Sequence, residues 1–270
     1  MGAFRSGGLA EASTVHPDFG AGRSAIPGPV STRLPRSTLD RDQWRLLEAL
    51  CAAGASRRPR ARSLAVCRAL DVVVAGCCLI AAAPVVGIMA LLVGAESRGP
   101  ILFRQPRVGR HGRLFSILKL RTMVADASVE NWDMPELNIH ESLGDSRMWK
   151  AFRDPRVTRA GALARALKID ELPQLVNVLR GEMSLVGPRP LTVDEDRWVE
   201  GAAVRRREVR PGMTGAWQVL GGNAVPMGTM LWLDALYVEK KSPVVDIRIA
   251  LRTPGAIEDS LASWRAGGTG

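Results

Sequence analysis

Two adjacent carboxylates stand at the start of a helix-like pattern in KIDELPQLVNVLRG, the stretch from Lys168 to Gly181. They are Asp170 and Glu171. The apolar residues after them recur at the spacing of one helical face: Leu172, Leu175, Val176 and Leu179. The pattern predicts a helix that ends near Gly181, with Asp170 at its cap or in its first turn.

The acid pair has two interpretations. Aspartate is a favoured cap residue, and this alone accounts for Asp170. Capping explains Glu171 less well. Two carboxylates at a helix start also suit a hard cation such as Mg²⁺, which would offset the repulsion between the acids and phosphate oxygens.

An arginine between two prolines comes after the helix, in SLVGPRP. Pro188 and Pro190 restrict the backbone, so little entropy is lost when the guanidinium of Arg189 is fixed on a phosphate. Further on, RRREVRPG contributes a basic run that ends at Arg210. This run is either a solvated face or a contact with anionic lipid headgroups or a diphosphate.

The chain of 270 residues carries a net charge of +10, which favours a polyanionic partner. Its four cysteines and three histidines lack the spacing of a zinc site or a disulfide framework. A reduced, cytosol-facing chain is therefore expected. Nucleic acid is disfavoured as the partner, because the arginines are not interleaved with aromatic residues and an apolar segment would have no role.

That apolar segment extends from Val72 to Val93 and contains no charged residue. As a straight helix it would reach about 33 Å, enough to cross a bilayer core. Pro84 is expected to kink or break it, and arginines on both sides favour placing both ends in the cytosol. These features favour a helix that dips into the membrane and returns. A straight span and a buried soluble helix are the alternatives.

Beyond the apolar segment, the sequence predicts an α/β region that is mostly helical with short strands. ILFRQPRVGRHGRLFSILKLRTM resembles two strands around a GRHG turn, and alternation places Lys119 and Arg121 on one face. This pair is a solvated edge unless other groups converge on it. From Asp154, a turn and a helix are predicted with Val157, Leu163 and Leu167 as apolar markers, and the arginines among them are assigned to the surface.

Several ordered motifs resemble the bacterial sugar transferase family, the monotopic polyprenyl-phosphate phosphoglycosyl transferases. They are FRQPRVGRHGRLFSILKLRTM, the stretch from DPRVTRAG through DELPQLVNVLRG to VGPRP, and VRPGMTGAWQV. The resemblance covers about Arg68 to Thr253. One difference is Ala83, which stands where the family often has serine before the membrane proline.

The resemblance implies an enzyme that moves a phosphosugar from a nucleoside-diphosphate sugar, most often a UDP-sugar, to undecaprenyl phosphate. It implies Asp170 as the nucleophile and, with Glu171, a ligand of Mg²⁺. Phosphate or substrate binding is assigned to basic and polar residues of the matching motifs: Lys119, Arg121, Arg189, Arg210 and Gln218. The product would start exopolysaccharide, capsule or another surface glycan at the cytosolic face of the bacterial cytoplasmic membrane.

Three regions are expected. Residues 1–62 form a disordered basic extension with one short helix from about Asp42 to Ala53, residues 63–98 the membrane-inserted helix, and residues 99–270 the cytosolic catalytic domain. The expected partners are undecaprenyl phosphate, a nucleoside-diphosphate sugar and membrane lipids, with homo-oligomerisation left open. The alternative function is a non-catalytic basic membrane adaptor with the same fold.

Overall fold

The computed structural model describes residues 61–124, 147, 154–220 and 226–265. The predicted N-terminal helix from Asp42 to Ala53 lies outside the described residues, as does nearly all of the extension, residues 1–62, that the sequence predicts to be disordered. Most of the polar segment between Met123 and Phe152 also lies outside them.

The described residues are mostly helical with few short strands, as predicted. The helices are α1 (Ala61–Glu96), α2 (Arg159–Ala166), α3 (Gln174–Arg180), α4 (Val193–Asp196), α5 (Ala216–Leu220), α6 (Met227–Lys240) and α7 (Pro243–Arg265). The strands are β1 (Leu102–Val108), β2 (Leu114–Leu120), β3 (Ser184–Val186) and β4 (Gly212–Thr214). Short 3-10 segments cover Arg110–Gly112, Ile169–Glu171 and Gly201–Glu208.

Helix α1 contains the apolar segment and continues through Pro84 to Glu96. The structure thus shows no end of the helix at Pro84, where a break was one of the expected outcomes. A proline in a long helix removes one N–H donor, and the hydrogen bonds on either side can carry the helix onward. Among the described residues, only this helix is long and apolar enough to cross a membrane, judged by length and composition alone.

The side chains of α1 are mostly uncovered by the rest of the chain. Only 11% of its most apolar window is buried, which distinguishes α1 from the core helix of a soluble domain. Large apolar side chains such as Ile80, Ile88 and Leu91 are exposed. Exposed apolar surface of this size is expected to contact lipid or another apolar partner.

Two patches of α1 do pack against the rest of the chain. Met89 and Val93 join a core cluster with Leu120, Ala164 and Ile169. Nearer the start of α1, Ala75 joins Ile117, Leu175, Val178 and Met183 in a second cluster. The helix is thereby held against both β2 and α3.

Polar contacts fix the beginning of α1. The guanidinium of Arg68 donates to the carbonyls of Val178 (2.7 Å) and Leu179 (3.0 Å) in the last turn of α3. Asp71 accepts from the Ser184 hydroxyl and from the amide of Leu185. The bonds from Arg68 satisfy carbonyls that a helix end leaves without partners.

The predicted hairpin is confirmed. Strands β1 and β2 are antiparallel, with Phe103 opposite Lys119 and Val108 opposite Leu114. The connecting turn places His111 and Gly112 at positive φ. Strand β3 pairs in parallel with β4 beside the largest apolar core, to which Trp217, Leu220 and Leu233 contribute buried side chains.

Candidate active site

The acid pair lies in a separate 3-10 turn ahead of α3. Ile169, Asp170 and Glu171 form this turn, and α3 itself begins at Gln174. The predicted end at Gly181 is confirmed, with that residue at a φ of 81°. Asp170 as a cap is wrong, because Pro173 is the residue that precedes α3 and no side chain caps it. Capping therefore does not account for the aspartate.

The turn is presented by α2 and by one residue in a left-handed conformation. Thr158 caps α2 by accepting from the amide of Gly161, and the helix ends at Ala166. Lys168 then adopts a φ of 56°, which non-glycine residues rarely do. Lys168 thus separates the end of α2 from the turn.

Asp170 is a buried carboxylate, 7% exposed. Its Oδ1 is also buried and accepts no hydrogen bond from the described residues. Burial raises the pKa of Asp170 above that of an ordinary aspartate, and the charge of Glu171 raises it further. The lysines Lys119 and Lys168 oppose this rise. A carboxylate with a free buried oxygen can bind a cation or attack an electrophile.

Glu171 is paired with a cation that the sequence had suggested. Lys119 Nζ lies 3.1 Å from Glu171 Oε1, and both side chains are about a third exposed. Burial would raise the pKa of Glu171, but the charges of Lys119, Lys168 and Arg189 and the hydrogen bond from Lys119 together lower it. The pKa of Asp170 is therefore raised and that of Glu171 is lowered, although the two acids are adjacent in the sequence.

Arg189 brings a second cation toward the pair. Its guanidinium lies over the Trp217 ring, 5.2 Å from the ring centre. The charge of Arg189 is among those that lower the pKa of Glu171. Arg107 lies nearby: burial lowers its pKa to about 10, and the charge of Arg189 contributes to this shift.

An apolar groove lies between α1, the β hairpin and the start of α3. Its volume is about 490 Å³. Residues of α1, the β hairpin and α3 line it: Leu79, Ala83, Val86, Gly87, Ala90, Ile101, Leu102, Leu120, Pro173 and Val176. Leu120 is the neighbour of Lys119 in sequence, and Pro173 is two residues after Glu171. The groove thus includes exposed residues of α1 as well as residues that are close in sequence to the charged groups.

Residues 62–259 match the model of a family described as bacterial sugar transferase. The chain belongs to the bacterial sugar transferase family. This confirms the resemblance seen in the sequence, and it agrees with the expected class of enzyme, a phosphoglycosyl transferase.

Relatives of this sugar transferase include proteins named for polysaccharide production. It is 38% identical over 203 residues to the exopolysaccharide production protein ExoY of Rhizobium meliloti, covering 73% of this chain and 87% of ExoY. It is 38% identical over 190 residues to the undecaprenyl-phosphate galactose phosphotransferase of Salmonella typhimurium, covering 69% of this chain and 39% of the relative. An undecaprenyl-phosphate glucose phosphotransferase of Komagataeibacter xylinus is 39% identical over 198 residues, or 34% of its own length.

Two predicted phosphate ligands of the sugar transferase make other contacts. Arg121 is buried and donates to the main-chain carbonyls of Ser97 and, at 2.9 Å, Arg98, at the end of α1. Arg210 Nε donates to the carbonyl of Gly181 at 2.7 Å, beyond the far end of α3 from the acid pair. Gln218 is next to Trp217 on α5, and its Oε1 is buried without a hydrogen bond to any described residue.

Arg165 is a candidate that the sequence interpretation missed. It was assigned to the surface, but burial lowers its pKa, and the carboxylate of Asp170 is the strongest opposing influence. Its Nε donates to the Thr122 hydroxyl at 2.8 Å. Arg165 precedes Asp170 by five residues. An interpretation of the sequence as a continuous helix does not include the left-handed Lys168 between them, and so it does not predict that Arg165 and Asp170 are close.

Another surface assignment, in the turn before α2, is wrong. Arg156 is buried rather than exposed, and it pairs with Asp154 through two hydrogen bonds of 2.8 Å and 2.6 Å. The predicted helix is confirmed, although its apolar markers Leu163 and Leu167 are exposed. Small residues form the buried face of α2, because the helix packs very close to the chain at Thr122.

The donor atoms at the acid pair fit Mg²⁺. Only two carboxylates are adjacent, and the described residues contain no cluster of three or more metal-binding side chains. Magnesium commonly binds one or two carboxylates and takes its remaining ligands from water and substrate phosphates. The buried Oδ1 of Asp170, which accepts no bond from the described residues, is a ligand of the required hard oxygen type.

Proposed function

We propose that this sugar transferase moves a phosphosugar from a nucleoside-diphosphate sugar, with a UDP-sugar as the expected donor, to undecaprenyl phosphate. The observation that carries the proposal is Asp170: a buried carboxylate with one free oxygen, close enough to Lys119, Lys168 and Arg165 for their charges to act on it. The names of two relatives, which are undecaprenyl-phosphate sugar phosphotransferases, support the choice of acceptor.

In the first step, an Asp170 oxygen attacks the phosphorus that carries the sugar. The bond from that phosphorus to the bridging oxygen breaks, and the nucleoside monophosphate leaves with the bridging oxygen. In the second step, a phosphate oxygen of undecaprenyl phosphate attacks the same phosphorus and releases the Asp170 carboxylate. Two displacements at one phosphorus replace a single transfer between two anions.

The surrounding residues neutralise charge and hold the substrates. We assign the binding of phosphate oxygens to Lys119, which is paired with Glu171, and to Arg189, which lies over Trp217. Arg165 would stabilise the ionised form of Asp170 before it attacks. When bound at the acid pair, Mg²⁺ would supply further charge neutralisation for the diphosphate.

The groove suits the isoprenoid chain of the acceptor. Its lining is apolar and includes Leu120 and Pro173, which are close in sequence to Lys119 and Glu171. A lipid phosphate whose chain lies in this groove would reach the site from the side of α1. With arginines on both sides of the apolar segment, this arrangement favours the cytosolic face of the cytoplasmic membrane. Whether α1 dips into the membrane or spans it is decided by labelling its two ends from each side of the membrane.

The decisive experiment uses full-length protein in detergent with Mg²⁺ and a panel of UDP-sugars. Without undecaprenyl phosphate, the wild type should release about one UMP per active site and gain the mass of the phosphosugar, as a covalent intermediate requires. Addition of the acceptor should then give turnover. Asp170→Asn should release no UMP, gain no mass and show no turnover, because an amide is a poor nucleophile.

A matched control keeps the test specific. Asp194→Asn removes an acid whose side chain is 83% exposed and paired only at the surface. It should behave as the wild type does. Equal UMP release by Asp170→Asn and the wild type would overturn the nucleophile assignment. If neither the wild type nor Asp170→Asn releases UMP from any UDP-sugar of the panel, the result would favour the non-catalytic adaptor.

A further inference from the structure

The peptide around Arg189 is held by an unusual set of bonds. Proline residues on both sides have restricted backbones and no N–H donors. Three successive carbonyls of this loop each accept a hydrogen bond. Pro188 accepts from the amide of Gly212 at 2.9 Å, Arg189 from the guanidinium of Arg206, and Pro190 from Arg107 at 3.1 Å.

The bond to the Arg189 carbonyl comes from a buried ion pair. Arg206 Nη2 lies 3.0 Å from Asp234 Oδ2, and the two side chains are 4% and 0% exposed. Burial raises the pKa of Asp234 to about 6, and the charge of Arg206 opposes this rise. The pair joins the 3-10 segment Gly201–Glu208 to α6, and the same guanidinium reaches the loop.

Stability alone is a weak explanation for this pair. Taking two charges out of water carries a large desolvation penalty, and apolar residues of similar volume are often as stable or more stable in such positions. Unlike an apolar pair, this ion pair can also donate a hydrogen bond to a particular carbonyl. It fixes the orientation of one peptide group.

The orientation of the Arg189 peptide affects where the Arg189 guanidinium lies. Arg189 has its guanidinium over Trp217, and its charge reaches Glu171. Its Nε is buried and makes no hydrogen bond to the described residues. A rotation of the peptide would move the guanidinium from its position over Trp217 and change the effect of its charge on Glu171.

We propose that Arg206 and Asp234 are positioning residues that hold the Arg189 peptide so that its guanidinium can bind the donor diphosphate. The role in donor binding rests on the proposed function, whereas the holding of the loop does not. The planar fork of Arg206 bonds the carboxylate and the carbonyl with one group. Neither Arg206 nor Asp234 is assigned a contact with substrate.

The test replaces the pair by apolar residues of similar size, in the double variant Arg206→Met/Asp234→Leu. Removing both ions avoids leaving a single buried charge. The matched control is Arg205→Gln/Glu239→Gln. Arg205 and Glu239 form an ion pair between the same two elements, and both side chains are partly exposed.

Two readouts are needed. The first is hydrogen exchange at the amides of Arg189 and Leu191 without substrate. The second is steady-state kinetics with the UDP-sugar that the wild type uses. The apolar double variant should unfold at the wild-type temperature, exchange faster at these amides, and lose about 10-fold to 100-fold in kcat/KM for the donor, as a displacement of about 1 Å would cause. The control should match the wild type in both readouts.

The proposal is overturned if exchange at the loop does not change, or if exchange rises while kcat/KM stays at the wild-type value. If the wild type uses no donor, the proposed function fails, and exchange alone still decides whether the pair holds the loop. If the double variant does not fold, Arg206→Lys takes its place. Lysine keeps a charge beside Asp234 but lacks the fork, so faster exchange supports the proposal and unchanged exchange overturns it.

Discussion

Gly161→Ala provides a sharp test of the packing that places the acid pair. Gly161 lies in the first turn of α2 and is buried. A Cβ at this position would lie 2.1 Å from the carbonyl oxygen of Thr122 and 2.7 Å from its carbonyl carbon. The first distance is more than 1 Å shorter than ordinary van der Waals contact. Since both atoms belong to the backbone, a rotamer change cannot relieve the clash.

Glycine to alanine inside a helix normally stabilises a protein by about 0.5–1 kcal/mol. Here we expect the opposite sign, a loss of about 1–3 kcal/mol, because α2 must move away from Thr122. The matched control is Gly255→Ala in α7, where nothing lies within 4 Å of the added Cβ. It should stabilise the protein or leave it unchanged. Thermal unfolding in detergent, scanned at one rate for all variants, measures both effects.

The same displacement should also reduce activity. Helix α2 leads directly to Lys168 and the acid pair, and Arg165 on α2 bonds Thr122. A shift of about 1 Å at a reacting group can cost up to about 100-fold in rate. If Gly161→Ala is as stable and as active as the wild type, the close approach of α2 to Thr122 is incorrect.

Two further variants test individual features. Lys168→Gly should be about 1 kcal/mol more stable than Lys168→Ala in urea unfolding, because only glycine adopts the left-handed conformation without steric cost; equal stability would argue against the positive φ. Asp154→Asn should cost about 3 kcal/mol at neutral pH, since it breaks a buried pair with Arg156. Burial raises the pKa of Asp154, but hydrogen bonds from Arg156 lower it overall, so the stabilisation is present above the ordinary aspartate pKa and lost as the pH falls through the lower folded value. The difference between Asp154→Asn and the wild type should therefore shrink in acid, and a gap that widens there would contradict the pairing.

The features that could be predicted from the sequence are those set by local spacing. Alternating side chains and a GRHG turn predicted the β hairpin, and a long uncharged segment predicted the apolar helix. The same alternation placed Lys119 on a strand face where other groups could converge, and Glu171 is the group that meets it. The family resemblance rests on motifs whose order and separation are also properties of the sequence.

The features that could not be predicted depend on contacts distant in the sequence. Arg156 and Arg165 are arginines in a basic chain, so charge alone gave no reason to bury them. The buried face of α2 is made of small residues, because a backbone and not a side chain lies against it. The bonds of Arg210 and Arg121 to main-chain carbonyls are likewise contacts that no local pattern of the sequence indicates.

Helix α3 connects two fixed points. Arg68 of α1 binds the carbonyls of its last turn, and Asp170 lies just before its first turn. Each residue added to a helix rotates one end relative to the other by about 100° and separates the ends by about 1.5 Å more. A single insertion within α3 would therefore turn the acids away from Lys119 while Arg68 stayed bound. The number of residues in α3 thus sets both the rotation and the distance between its two ends. We expect related chains that change the length of this helix to do so by whole turns.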